Sequence, residues 1–321
     1  MEKVAVIGLG NISKRHRANL KRLYPRALIL AMSASGRELL STPQDSDLTV
    51  SGLDELIAAR PQLVVVASPA SMHQMHAQPL LGAGIACLVE KPLCADIEQT
   101  HALVNAAQKV TTPVAVGYCL RYMPSAQKMK QLITEGVFGE IYSIHIEVGQ
   151  YLPDWRPGVD FRNTVSARKD LGGGALLELS HELDYSNWLF GPLTPKHATI
   201  RSSKELALEV EDLVDVSLIS QTGAHVQIHM DFLQRKPSRF CTVTCNQGKV
   251  YWDLLANRIE WTNNTGHTQV FEFPDWKPND MYLAMLKDME QRVFGRQNQC
   301  VSLAQANEVM ELIDSIKKMQ S

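Results

Sequence analysis

Five short apolar runs punctuate the first third of the chain: residues 4–7, 27–31, 63–67, 85–89 and 114–116. Each is continuous rather than alternating, which predicts strands buried on both faces, the habit of a parallel sheet. Longer stretches with polar positions separate them, the first helical to about Leu23, so the order reads as regular β–α alternation. From Gly139 the rhythm changes. Ile144, Ile146 and Val148 alternate with Ser143, His145 and Glu147, a period of two that predicts a half-buried strand. Residues 214–218, 226–230, 239–245, 249–253, 258–262 and 268–273 read the same way, separated by turns such as Gln221-Thr222-Gly223. That is an antiparallel meander. Two helices close the chain, the last opening on a capping-box pattern from Ser302 to Gln305.

The predicted fold class is α/β: an N-terminal Rossmann domain over residues 1–120, then a C-terminal α+β domain over 121–321 built on a large, mostly antiparallel open sheet. At 321 residues the chain is long enough for two cores, and 45% apolar with 21% charged residues is ordinary globular composition. A net charge of −2 gives no electrostatic ground for nucleic acid or an anionic membrane as partner. The apolar runs fall far short of the ~20 residues that span a bilayer. A strand begins almost at the first residue, leaving no room for a secretory leader, so the expectation is a cytoplasmic protein. Six cysteines in such a chain read as buried thiols. Cys241 and Cys245, four apart on one strand, lie roughly 13 Å apart, too far to share zinc as a compact pair. No metal is expected.

The chemistry gathers where the first five strands end, the edge at which a doubly wound sheet binds its ligand. The first strand runs into Gly8-Leu9-Gly10-Asn11-Ile12-Ser13 and a helix, the dinucleotide-binding arrangement. Gly8 permits the tight turn, Gly10 lets backbone approach a pyrophosphate, and Asn11 and Ile12 open the helix. Ser13 stands third, small enough for close helix–strand packing. The second strand is followed by Ser33 and Arg37 rather than an acid for a ribose 2′-hydroxyl, a composition that favours NADP over NAD. The third ends in Ser68-Pro69 with His73 nearby, and the fourth in Glu90-Lys91-Pro92. The fifth leads to Arg121, Tyr122 and Pro124.

Further on, residues 149–171 show little periodicity and carry Tyr151, Trp155, Arg156, Arg162 and Arg168. A loop that long is usually functional, and its arginines and aromatics suit an anionic sugar or a cofactor phosphate. After Gly172-Gly173-Gly174 the spacing predicts one helix to about Phe190, with Leu176, Leu179, Leu183 and Phe190 on one face. Glu178, His181, Asp184, Tyr185 and Trp188 fall opposite, an arrangement unlike a solvated surface.

Taken together, Gly8 to Ser13 with His16, Ser68-Pro69 with His73, Glu90-Lys91-Pro92, Arg121 to Pro124 and the glycine triplet with His181 and Asp184 resemble the Gfo/Idh/MocA family. That family, of glucose–fructose oxidoreductase, inositol dehydrogenase and rhizopine-catabolism enzymes, is similar over nearly the whole chain. One departure stands out: where the family often has an acid four residues before the histidine, this chain has Leu177, with Glu178 three before. The resemblance implies NADP or NAD as cofactor, bound by Gly8, Gly10, Asn11, Ile12, Ser33, Arg37, Ser68, Pro69, His73, Glu90 and Lys91. It implies Lys91 beside the nicotinamide, a cis Lys91–Pro92 bond, and a homodimer or homotetramer joined through the C-terminal sheet.

The run from Glu178 to Tyr185, preceded by Trp155-Arg156-Pro157, is similar to members linked with surface-polysaccharide pathways, implying a sugar or nucleotide-sugar substrate. Arg121, Tyr122, Trp155, Arg156 and Arg168 are then candidate substrate contacts. The expected reaction is hydride transfer between nicotinamide and a secondary alcohol or ketone, with Lys91, His181, Glu178 and Asp184 as catalytic candidates. His181 suits the base and Lys91 the oxygen-stabilising cation, and the inverse assignment stays open. The rivals are a glycoside-cleaving enzyme that uses NAD(P) transiently and a catalytically inactive dinucleotide-sensing protein.

Overall fold

The computed structural model describes residues 1–319. In chain order its strands are β1 (Lys3–Ile7), β2 (Leu28–Met32), β3 (Leu48–Val50), β4 (Leu63–Val66), β5 (Ala86–Val89), β6 (Val114–Val116), β7 (Ile141–Gly149), β8 (Leu193–Arg201), β9 (Leu213–Ser220), β10 (His225–Asp231), β11 (Ser238–Cys245), β12 (Gly248–Asp253), β13 (Arg258–Asn263) and β14 (Thr268–Glu272). Its helices are α1 (Asn11–Leu23), α2 (Leu53–Ala58), α3 (His73–Gly82), α4 (Ile97–Ala107), α5 (Pro124–Thr134), α6 (Ala175–Glu178), α7 (His181–Phe190), α8 (Asp280–Val293) and α9 (Leu303–Lys318). Two compact units result, Met1–Cys119 with Asn279–Met310, and Leu120–Pro278 with Glu311 onward. The first unit thus takes in residues 279–310, which a division at residue 120 assigns to the second.

In the first unit six parallel strands run in the order β3-β2-β1-β4-β5-β6. The five continuous apolar runs are the inner strands and β6, and β1, β4, β5 and β6 are buried along nearly their whole length. The sequence pattern passed over β3: only three residues long and buried only at Val50, it is an edge strand with too few apolar side chains to stand out. The strand order reverses between β1 and β4, and ligands of such sheets sit beyond the carboxyl ends at that point.

The second unit carries eight strands in the order β14-β13-β12-β11-β7-β10-β9-β8. All neighbours are antiparallel except β7 with β10, which sit centrally and parallel. Alternation is strict: Ile144, Ile146, Val148, Val216, Ile228, Cys241 and Val243 are buried, and their neighbours are less so. The edge strand β8 escapes the pattern because it is mostly exposed. On the less buried face, His145, Phe240 and Tyr251 form a row with ring centroids 5.6 Å apart at each step. Beside it His229 bridges Asp215 and Asp231 at 2.7 and 2.8 Å. The bond to Asp231, with that to Asp215, pushes the imidazole up to about 9, so it is a cation at neutral pH.

The long segment after β7 holds only four single 3-10 turns and no longer element. The helix expected over 175–190 is two: α6 ends at Glu178, and α7 begins at His181 after Leu179 and Ser180. Both faces of α7 are buried, Glu182 and Asp184 included, so its amphipathic reading was too simple. All six cysteines are buried, and none forms a disulfide among the described residues. Among the described residues no helix is long and apolar enough to cross a membrane.

Candidate functional site

In the first unit the dinucleotide turn has the geometry its glycines demand. Gly8 sits at φ 115°, and a Cβ there would meet the Ala67 carbonyl oxygen at 2.4 Å, so only glycine fits. At Gly10 a Cβ would have open space around it. Gly10 precedes α1, whose first turn has no side-chain cap and no acid. Its N–H groups and helix dipole are therefore presented to an anion, and this cradle fits the pyrophosphate of a nicotinamide dinucleotide.

The buried face of α1 is polar: Ser13, His16, Arg17 and Asn19 line it with Leu20. Each of these polar side chains makes at least one hydrogen bond. Ser13 Oγ donates to the Ala67 carbonyl at 3.0 Å, Arg17 Nη1 to the Gly8 carbonyl at 3.2 Å, and Asn19 pairs with Asn279. His16 Nε2 meets Glu90 Oε1 at 2.6 Å. Helix and turn are thus pinned to the ends of β4 and β5 by hydrogen bonds rather than apolar packing alone.

Glu90, Lys91 and Pro92 follow β5, and the Lys91–Pro92 bond is cis. Glu90 is buried and also accepts the Lys91 N–H at 3.2 Å. Burial alone would raise its carboxyl, but the hydrogen bond and charge of His16, with the charge of Lys91, hold it below the usual value.

Two further histidines staple the strand ends together. His73, at the start of α3, sets Nδ1 against the Pro92 and Leu93 carbonyls and Nε2 against the Ser68 carbonyl. With both ring nitrogens taken by backbone, it ties the turn after β4 to the turn after β5, a link not foreseen for it. His76 was not foreseen. It accepts the Ser68 hydroxyl at Nδ1, 2.9 Å away, and Nε2 donates to the Ala34 carbonyl at 3.1 Å. Ser68 is thereby spent within the protein. Ser33 is likewise buried, its hydroxyl donating to the Arg37 carbonyl, while the Arg37 side chain is exposed just beyond β2.

The second unit gathers the remaining candidates around α7. Arg121 donates from Nε and Nη2 to both oxygens of Asp184, at 3.0 and 2.7 Å, and both side chains are buried. Burial raises the Asp184 carboxyl, and the Arg121 guanidinium opposes that shift. Arg121, expected as a substrate contact, and Asp184, expected beside the histidine, are thus paired with each other, a pairing not foreseen. Two residues earlier on α7, the fully buried Glu182 is held by Arg239 of β11 at 2.7 and 2.8 Å, a pairing not foreseen. His181 opens α7 and is 9% exposed, and Glu178 accepts from Ser166 Oγ at 3.1 Å.

Glu178 is thereby tied to the long segment, which also packs against the glycine triplet. A Cβ at Gly173 would meet the Val165 carbonyl oxygen at 2.4 Å, and Glu211 accepts the Leu176 N–H at the start of α6. The other expected substrate contacts scatter. Trp155 packs edge-on against Phe232 at 5.4 Å, Arg168 is exposed and paired with Asp170, and Tyr122 and Arg156 are half-buried.

The profile described as "Oxidoreductase family, NAD-binding Rossmann fold" matches residues 2–118, and that of the "GFO/IDH/MocA C-terminal domain" matches 126–251. The chain belongs to the Gfo/Idh/MocA family. Among Gfo/Idh/MocA relatives, an uncharacterised oxidoreductase of Synechocystis is 31% identical over 59% of this chain and 51% of its own length. Glucose-6-phosphate 3-dehydrogenase of Bacillus subtilis is 25% identical over 67% of this chain and 63% of its own. The chain thus spans about half to two thirds of the curated relatives it matches. The fold is shared with the WlbA dehydrogenase of Bordetella pertussis, solved with NADH and UDP-GlcNAcA. Its TM-score is 0.80 at 20% identity, over 99% of this chain and 95% of that one.

The staple at His76 yields a prediction. Burial lowers its imidazole from the ordinary 6.5 to about 4, the Ala34 carbonyl only partly offsetting it. Between pH 6.5 and about 4 the unfolded chain therefore binds a proton that the folded chain refuses. Stability falls as pH falls through that window and is indifferent to this group above it. In urea unfolding at pH 7.5 and 4.5, wild type should lose on the order of 3 kcal/mol more than His76→Gln. Equal losses would show that the histidine is not held neutral.

Proposed function

We propose that this chain is a nicotinamide-dependent dehydrogenase or reductase that interconverts a secondary alcohol and a ketone on a sugar or nucleotide sugar. The observation that carries the reading is Glu90-Lys91-Pro92 in the same unit as an uncapped dinucleotide cradle, its Glu90 pinned to the cradle helix through His16. The relative named for glucose-6-phosphate oxidation and the UDP-GlcNAcA-bound structure support the substrate class.

When bound, the nicotinamide dinucleotide supplies the hydride acceptor or donor. Gly8, Gly10, Asn11 and Ile12 receive its pyrophosphate at the head of α1. Arg37 takes the 2′-phosphate of NADP, since no acid stands at residues 33–37 to accept a 2′-hydroxyl. Lys91 donates a hydrogen bond to the reacting oxygen and stabilises its alkoxide character, and His181 takes the hydroxyl proton during oxidation and returns it during reduction. Arg121 with Asp184, and Arg239 with Glu182, hold the helix that carries His181. Tyr122, Trp155 and Arg156 are the proposed substrate contacts.

Lys91→Ala and His181→Ala should each lower kcat by roughly 10²–10⁴-fold while the cofactor dissociation constant stays within severalfold. Steady-state assays across a panel of sugars and nucleotide sugars, with fluorescence titration of the cofactor, measure both. Near wild-type turnover in either variant ends that residue's assignment. Arg37→Ala should weaken NADPH by roughly tenfold or more and leave NADH nearly unchanged, and equal weakening of both would remove the preference.

We propose further that two copies associate through the face of the eight-stranded sheet that carries His145, Phe240 and Tyr251, an aromatic row with Tyr251 39% exposed. Tyr251→Glu should move sedimentation from dimer or tetramer toward monomer. A wild type that sediments as monomer refutes the association.

A further inference from the structure

So far His16 has only a structural role, holding Glu90 to α1, yet it is fully buried and makes one of the shortest polar contacts of the first unit. We propose that His16 is a positioning residue for the reaction, acting through Glu90 on Lys91. The inference rests on the dehydrogenase reading above and adds to it a third residue, remote in sequence from the Glu-Lys-Pro turn.

The geometry carries it in three steps. First, the Glu90 carboxylate occupies a slot rather than open space. His16 meets Oε1 at 2.6 Å, and the Lys91 N–H reaches Oε2 at 3.2 Å. A Cβ on Gly117, just beyond β6, would stand 3.1–3.2 Å from the carboxyl carbon and both oxygens. A side chain on that strand end would press on the carboxylate, so the slot exists because residue 117 is glycine.

Second, His16 is itself immobilised. It sits one turn after Ser13, whose hydroxyl is bonded to the Ala67 carbonyl, and the Tyr282 ring of α8 stands edge-on to it at 6.1 Å. Nδ1 makes no hydrogen bond among the described residues, so the ring's polar work is done at Nε2. An ionised carboxylate only accepts, which puts the proton on Nε2, donating to Glu90.

Third, Lys91 is the next residue along the chain. A Glu90 carboxylate that accepts the Lys91 backbone N–H fixes the start of the Lys91–Pro92 turn and keeps a negative charge near the ammonium. A swinging or protonated Glu90 would do neither. Misplacing a reacting group by about 1 Å can cost on the order of a hundredfold in rate. The leverage is therefore large for a residue that touches neither substrate nor cofactor.

The titratable groups facing Glu90 are His16 from α1, Lys91, His73 of α3 and Tyr282 of α8. Of these, His16 is first among the influences that oppose burial and keep the carboxyl low.

Wild type, His16→Ala, His16→Gln, Glu90→Gln and the double variant His16→Ala/Glu90→Gln test the proposal. The amide nitrogen of Gln reaches about as far as an imidazole Nε2, so His16→Gln keeps a neutral donor toward Glu90 and is the variant expected to fold like wild type. Carbon-13 carboxyl titration of protein without cofactor or substrate should show the Glu90 midpoint rising above the ordinary 4.5 in His16→Ala, because burial remains and the partner is gone. In turnover, His16→Ala should lose roughly ten- to hundredfold in kcat, with KM and the cofactor dissociation constant within about threefold. His16→Gln should recover most of that loss. In the Glu90→Gln background, His16→Ala should cost little more, since the path through Glu90 is already cut.

A Glu90 midpoint unmoved by His16→Ala overturns the proposal. So does a Gln variant no better than Ala, or a His16 effect that multiplies with Glu90→Gln. Wild type inactive on every sugar would instead refute the dehydrogenase reading. Active wild type with unimpaired His16→Ala refutes only the inference.

Discussion

A parallel sheet concentrates buried polar groups at one edge, and every one of them needs a partner. There the backbone of this chain leaves its ladder, and a carboxylate, three imidazoles and three serine hydroxyls are enclosed near the strand ends. Leaving such a group unpaired costs about 1–3 kcal/mol, more when it is charged. The solution adopted is pairing across strands. Ser13 reaches the end of β4, His16 the end of β5, and His76 joins the residues after β4 to those after β2. His73 ties the ends of β4 and β5. The dinucleotide turn is rigid because its surroundings had to be satisfied, and a rigid turn is what an anion-binding cradle requires.

This explains which parts of the fold could be read from the sequence. The four inner strands and the buried edge strand β6 were visible because two-sided burial demands an unbroken apolar run, and the second sheet because one-sided burial demands alternation. The strands that escaped notice, β3 and β8, are edges, where one neighbour is missing and the demand for apolar side chains relaxes. The break at Leu179 and Ser180 was hidden for another reason. Helical spacing continues across it, and nothing in a run of good helix formers marks where hydrogen bonding lapses.

The candidate site divides along the same line. Gly8, Gly10, Lys91 and His181 could be singled out as candidates because their signals are local, carried by a turn, a strand end or a helix start. Pairings were not. His16 and Glu90 lie 74 positions apart, Arg121 and Asp184 63, and Glu182 and Arg239 57. Sequence pattern says that Asp184 sits on the same helix as His181. It does not say that an arginine from another element will claim both of its oxygens. Hence the pairing of Arg121 with Asp184 was not foreseen, and Glu182 was missed although it is as fully buried as Asp184.

Two buried arginine–carboxylate pairs on one ten-residue helix are a poor way to gain stability, because desolvation cancels much of the attraction. Apolar side chains of similar size would hold α7 about as well. What apolar packing does not supply is direction. A bidentate pair fixes both distance and rotation, and α7 has one such pair to β11 and another to the 3-10 turn just after β6. A helix pinned at two azimuths cannot roll, so the residue at its first position keeps one orientation. The same logic governs Glu90, where a single carboxylate is fixed by a histidine on one oxygen and a backbone N–H on the other. In both units, then, ionised groups are buried next to the residues assigned to the chemistry, and they constrain angle more than they add binding energy.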